Sequence, residues 1–285
     1  MALETAQHLR QEGRSGLPRS TSAGGHLGQA YLSGHHRLLQ SQCNLGSRFP
    51  PSCPPLKPRL TIYAEVLTPQ LVVERLSGLY GCPAWRPHGD PLTELVLAVL
   101  SQNTSDANSG RAFMRLRTRF PEWRDVLAAP QEELEDAIRV GGLGRIKAQR
   151  LKALLAQVLE RRGSLDLSFL SQMPLEEAQA WLEDLPGVGP KTAACVLLFA
   201  LGRPALPVDT HVHRVARRLG LVPWRADAVQ TQKLLQSQVP QELVFPFHVL
   251  LIRHGRNLCR ARSPLCQPCP LADLCPYPSR AAHSL

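Results

Sequence analysis

The segment from Asp184 to His213, DLPGVGPKTAACVLLFALGRPALPVDTHVH, constrains the fold more than any other part of the chain. A helical pattern running up to about Leu185 is broken by Pro186, Gly187, Val188 and Gly189. It resumes behind Pro190 as the apolar run Ala193 to Gly202. The two glycines supply the positive φ of a tight turn, and proline is tolerated in a first helical turn because its missing N–H would have no partner there. The pattern therefore predicts two helices joined by a short hairpin. The first N–H groups of the second helix then face outward and, with the positive helix end, form an anion site. Gly187, Val188 and Gly189 are the candidate contacts for a phosphate, held without regard to base sequence.

Helical patterns follow one another from Pro69 onward, and none shows the period-two alternation of a sheet. Leu151, Leu154, Leu155, Val158 and Leu159 share one helix face. Short Gly and Pro punctuation, RVGGLGR, ERRGS and GRPALP, separates the segments, so the expected class is all-α. With 285 residues, 44% of them hydrophobic, the chain is long enough for a sizeable core or two domains. Residues 1–60 lack sustained apolar periodicity and carry seven Lys or Arg against two Glu, which predicts a disordered basic extension. The net charge of +10 favours a polyanionic partner such as nucleic acid, and no apolar run is long enough to span a bilayer.

Lys191 heads the apolar helix. A lysine at such a turn can be one more phosphate contact, or a nucleophile if burial and the helix N-terminus lower its pKa and free the amine lone pair. Asp209, in VDTH, follows a Pro-bounded connection that can fold its carboxylate back toward Lys191. Asp209 also suits the N-cap of a helix Thr210 to Leu219 stopped by Gly220, and capping is compatible with a catalytic role.

Cys259, Cys266, Cys269 and Cys275 form the pattern C-x6-C-x2-C-x5-C. Clustering without a secretory segment points to metal ligation in a reducing, intracellular compartment rather than to disulfides. Four thiolates suit tetrahedral zinc or an iron-sulfur cluster. Because only Cys266 and Cys269 form a CxxC knuckle, the spacing favours a 4Fe-4S cluster. Arg260 and Arg262, in the intervening loop, are placed to meet phosphate.

The hairpin lysine, the aspartate eighteen residues on, and HGRNLC leading into the cysteine pattern resemble the endonuclease III family of helix-hairpin-helix DNA glycosylases, over roughly residues 67–277. The resemblance implies two lobes, a six-helix barrel over 84–204 and a 4Fe-4S lobe that joins an N-terminal helix over 61–83 to residues 205–285. It also implies a monomer acting on duplex DNA that contains damaged bases or abasic sites, cytoplasmic in a bacterium and nuclear or organellar in a eukaryote. The family flips a damaged pyrimidine out of the duplex. Its nucleophile falls on Lys191 and its carboxylate on Asp209, for base removal, Schiff-base formation and β-elimination. Its intercalating wedge falls on Leu143, in VGGLGRIKA, and its gap-filling amide on Asn103, with Gln102 beside it. His211 and Arg214 join the expected DNA contacts. Ala98 stands where adenine glycosylases of A/G mismatches carry a glutamate, which makes a mismatch-specific adenine or thymine glycosylase the alternative within the superfamily. A non-enzymatic DNA-binding iron-sulfur protein, with Lys191 only a phosphate contact, is the alternative of a different class. The connection DLSFLSQMPLEEAQAW, between wedge and hairpin, is longer than the family pattern.

Overall fold

The computed structural model describes residues 67–278; the extension expected over 1–60 lies outside them. All regular structure among the described residues is helical. Local chemistry sets where several helices begin. Helix α1 (Pro69–Tyr80) starts behind Thr68, whose hydroxyl accepts from the Leu71 N–H at 3.2 Å. Helix α2 (Pro91–Ser101) starts behind Asp90, which accepts from Thr93 N–H at 2.9 Å. Both have proline in the first turn, where it costs no hydrogen bond. Ser105 caps α3 (Asp106–Arg119) in the same way. Helices α4 (Trp123–Ala128) and α5 (Gln131–Ile138) lead to α6 (Gly144–Arg162), whose inward stripe of Leu151, Leu154, Leu155 and Val158 is fully buried, as its periodicity predicts.

The longer connection becomes a 3-10 turn, Ser168–Ser171, followed by α7 (Leu175–Glu183). Leu167 and Leu170 are buried there, Phe169 meets Trp181 edge-on at 5.1 Å, and the Arg162 guanidinium covers Phe169 at 3.9 Å. After the hairpin turn comes α8 (Pro190–Cys195), which continues as a π-helical turn over Val196–Ala200 rather than the uniform α-helix expected. The chain ends in α9 (Thr210–Leu219), α10 (Ala228–Gln238), α11 (Val244–Asn257) and the cysteine loop.

Two hydrophobic cores result. One is built from α2 through α8, the other from α1, α9 to α11 and the cysteine loop, with Cys259, Cys269 and Cys275 packed against it. The π-helical turn joins them: Val196 and Leu197 belong to the first core, Leu198 and Phe199 to the second. A π-turn adds a residue and rotates the chain beyond it, and such turns occur often at functional sites. Helix α1 is tied to the C-terminal part of the chain by Arg75, bonded to Asp273 at 3.1 Å, and by Arg253 Nη1, which donates to Tyr80 O at 3.1 Å.

Candidate functional site

A cleft of about 670 Å3 is lined by residues of α2, α8, α9 and α11, and so by both cores. Lys191, Asp209, Gln102, Asn103 and His211 all line it. Asp209 caps α9, its Oδ1 accepting from Val212 N–H at 2.7 Å, and the helix stops at Gly220 with φ 75°, both as the sequence predicts. Lys191 shares the cleft with Asp209 but forms no ion pair with it. The side chain of Lys191 is exposed, so the desolvation expected from sequence is not supplied by the protein itself. Cys195 lies one helical turn beyond Lys191 and also lines the cleft. Its thiol is pushed up to about 12 by burial; the positive charge of Lys191 pulls it down, and Glu94 and Asp209 raise it further. A neutral thiol therefore sits among the polar groups of the cleft.

The hairpin corrects two expectations. Of its two glycines only Gly187 has positive φ, at 77°; Gly189 is extended, with φ −107° and ψ 178°. Val188 is buried in the first core and donates its N–H to Leu185 O at 3.1 Å, so it anchors the turn instead of offering a phosphate contact. The N–H groups of Gly187, Gly189 and Lys191 find no acceptor among the described residues. A Cβ at Gly189 would meet nothing, which leaves the surface before α8 open.

The two candidate amides separate. Gln102 is held at both ends: its Nε2 donates to Gly187 O at 3.1 Å and its Oε1 accepts from Arg150 Nη1 at 3.0 Å. Asn103 is exposed, in the left-handed region with φ 54°. Leu143 is also left-handed, with φ 52°, and is 51% exposed, as its flanking glycines suggest. Arg214 departs from expectation. Its guanidinium donates to the carbonyls of Gly255 at 2.8 Å, Cys259 at 3.1 Å and Thr210 at 3.4 Å, so it braces the cysteine loop from α9 rather than reaching outward. His211 takes the Arg214 Nη2 contact at 3.0 Å, and burial lowers its pKa against the upward pull of Asp209.

All four clustered cysteines line one small cavity with His254, Arg218 and Tyr277, and none is disulfide-bonded. Among the described residues no three His, Cys, Asp or Glu side chains converge on a point where a single ion would sit. Burial pushes Cys269 up to about 11, a backbone hydrogen bond at Leu271 opposes this, and Cys275, Cys259 and Cys266 push it higher. Arg218 is buried against this loop, donating to Arg260 O at 2.6 Å and approaching Cys259 Sγ at 3.4 Å.

Residues 96–241 match the model of the HhH-GPD superfamily of base excision DNA repair proteins. The chain is 38% identical over 188 residues to endonuclease III of Bacillus subtilis, covering 66% of this chain and 82% of that one. The chain belongs to the endonuclease III family of this superfamily. It is also 42% identical over 189 residues to an Arabidopsis thaliana protein named "Putative DNA glycosylase", covering 63% of this chain and 64% of that protein's length. A solved endonuclease III–DNA complex, not covalently linked, superposes with a TM-score of 0.65 at 33% identity, over 76% of this chain and all of that one.

Sequence reasoning missed two groups of this glycosylase's cleft, Glu94 and Arg256, and one outside it, Lys147. Glu94, on α2, is 1% exposed and lines the cleft, with Oε2 3.6 Å from His88 Nδ1. Arg256 of α11 bonds Asp106 at the start of α3 at 3.0 Å, bridging the two sides of the cleft mouth. Lys147, on α6, is 1% exposed. Lys147 lies four residues before Leu151 and continues the buried stripe of α6 at helical spacing, a signal that marks its face but not its partners.

Proposed function

We propose that this glycosylase removes oxidised pyrimidines from duplex DNA and then cuts the strand through a lyase step on Lys191. The observation that carries the reading is the presence of an amine and a carboxylate in one cleft, Lys191 and Asp209, beside hairpin N–H groups with no acceptor. Those N–H groups would hold a backbone phosphate and swing the damaged nucleotide into the cleft. DNA covering the exposed Lys191 supplies the desolvation that the free protein lacks. Asp209 takes a proton from the ammonium, and the freed Nζ attacks C1′. The C1′–N bond breaks, its electron pair leaves with the base, and the base takes up a proton. The Lys191 nitrogen loses a proton, the C1′–O4′ bond breaks with its electron pair going to O4′, which takes up a proton, and an imine is left on Lys191. Loss of a C2′ proton then expels the 3′ phosphate, and hydrolysis of the imine frees the enzyme. The proton that Asp209 took passes to the departing base, and the carboxylate so restored offsets positive charge at the sugar. One chain supplies both walls of the cleft, so a monomer suffices.

Four thiols line one cavity, yet among the described residues no three ligand side chains converge on a single ion, and both observations fit a polynuclear cluster better than one metal ion. Cys259, Cys266, Cys269 and Cys275 would hold a 4Fe-4S cluster. When bound, it would cross-link the loop 259–275 to itself against the second core and offer one-electron redox chemistry. Arg260 and Arg262 are exposed beside it for phosphate contact.

Glu94 favours a second reading. A buried carboxyl in the cleft, one helical turn before Ala98, could protonate a departing adenine. A panel of duplexes with thymine glycol, uracil, 8-oxoguanine opposite C, adenine opposite 8-oxoguanine, and an abasic site separates the two readings. Excision of thymine glycol with strand cleavage at the abasic site is the expected result. Excision of adenine alone, without strand cleavage, would replace the first reading with the second.

A further inference from the structure

Burying an ammonium is costly unless its hydrogen bonds are satisfied, and Lys147 is 1% exposed. Its Nζ donates to Leu100 O at 2.7 Å and to Gly141 O at 2.9 Å. The two carbonyls lie three and two residues, respectively, before a residue with positive φ. Leu100 precedes Asn103, at φ 54°, and Gly141 precedes Leu143, at φ 52°. Among the described residues only Asn103, Leu143 and Ser263 have positive φ without being glycine, so one buried charge ties together two of the three. Side chains other than Gly reach that region at a cost in strain, and they persist there only where the surroundings enforce it. Both side chains are exposed, so nothing in their own packing fixes them. One turn further along α6, Arg150 holds Gln102, which in turn holds Gly187 of the hairpin. Helix α6 thus bonds to segments 100–102 and 141–143 and, through Gln102, to the hairpin.

We propose that Lys147 is a positioning residue that holds Asn103 and Leu143 in their left-handed conformations at a fixed separation. The two side chains that enter the duplex are thereby a preformed tool and are not ordered by DNA. The proposal rests on the base-flipping reading above. Its mechanism is preorganisation: the charge-assisted bonds from one ammonium to two loops offset their backbone strain before DNA arrives. A lysine that only capped the end of α2 would affect folding and leave the division of labour between duplex and single strand untouched.

The test compares strand cleavage of an abasic site in a duplex, where the sugar must be extruded, with the same site in a single-stranded oligonucleotide, where it is already free. Lys147→Met is the first variant. Lys147→Gln, which keeps a donor for one carbonyl, serves if the methionine variant does not fold. Duplex cleavage is expected to fall at least about tenfold, since misplacing a positioning group by an ångström or so has effects up to about a hundredfold. Single-strand cleavage should change less than about twofold. In an Asn103→Gly/Leu143→Gly background, where the strain and both side chains are gone, Lys147→Gln should add no further loss on duplex. Equal loss on both substrates, or an undiminished loss in the glycine background, overturns the proposal and makes Lys147 a structural cap. A wild-type protein that cleaves neither substrate overturns the functional reading and this inference with it.

Discussion

At the scale of single residues, Lys191 and Asp209 divide chemistry from stability cleanly. Lys191 is exposed and makes no ion pair with Asp209, so Lys191→Gln should change stability by no more than about 0.5 kcal/mol. It should nevertheless remove the borohydride-trapped protein–DNA adduct and lower turnover by roughly a thousandfold or more. Asp209→Asn keeps an amide oxygen to accept from Val212 N–H, so α9 survives with a loss below about 1 kcal/mol. The amide cannot take a proton, and turnover should fall about 10²–10⁴-fold. Trapping on abasic duplex, with circular dichroism melting of each variant, measures both. A trapped adduct in Lys191→Gln would make that lysine a phosphate contact alone. Cys195 is a bystander to this chemistry, because a thiol pushed up to about 12 stays protonated across physiological pH. Rapid iodoacetamide alkylation of Cys195 near pH 8 in the folded protein would contradict that.

At the scale of elements, the hairpin turn works only because Gly187 can occupy φ 77° while approaching Arg150 closely. A Cβ there would lie 3.0 Å from Arg150 Cδ. Gly187→Ala therefore adds about 1–2 kcal/mol of left-handed strain and displaces the arginine that holds Gln102. The expected consequence is weaker binding of undamaged duplex and a rise in KM larger than any fall in kcat, since the turn holds phosphate rather than reacting atoms. Titration of a fluorescent undamaged duplex, together with steady-state kinetics, checks this. Unchanged affinity would remove the turn from the DNA surface. Val188 shows why an element must be considered whole: within a run of three turn residues, its apolar side chain went to the core and only its neighbours kept open backbone.

At the scale of the whole molecule, the second core closes through the cysteine loop, against which Arg214 of α9 and buried Arg218 are bonded. Four thiols line one cavity, where burial pushes Cys269 and Cys275 up, and they are held together far better by bound metal than alone. Cys275→Ser should therefore lose iron and melt cooperatively at much lower temperature, with the second core failing as a unit. Metal analysis of anaerobically purified wild-type protein should find iron and a yellow-brown colour. One zinc and no iron would replace the cluster by a structural zinc. With phosphate contacts dominating, affinity for undamaged duplex should fall steeply with rising salt.

What the sequence determined by itself was local. The helix start at Asp209, the stop at Gly220, the hairpin turn and the cysteine spacing all depend on neighbours within a few residues, and their chemistry is written in order along the chain. The Pro-bounded connection suggested the approach of Asp209 to Lys191, and the family resemblance added their roles as carboxylate and nucleophile. Only the tertiary structure decided which side chains face the cleft and which turn inward. It buried Val188, turned Arg214 onto the carbonyls of Gly255 and Cys259, left Lys191 in solvent, and separated the held Gln102 from the exposed Asn103. It also brought Leu100 and Gly141 onto the ammonium of Lys147. Those outcomes depend on contacts between segments far apart in sequence, where burial and hydrogen-bond satisfaction are settled by the packing of the two cores and not by any local pattern.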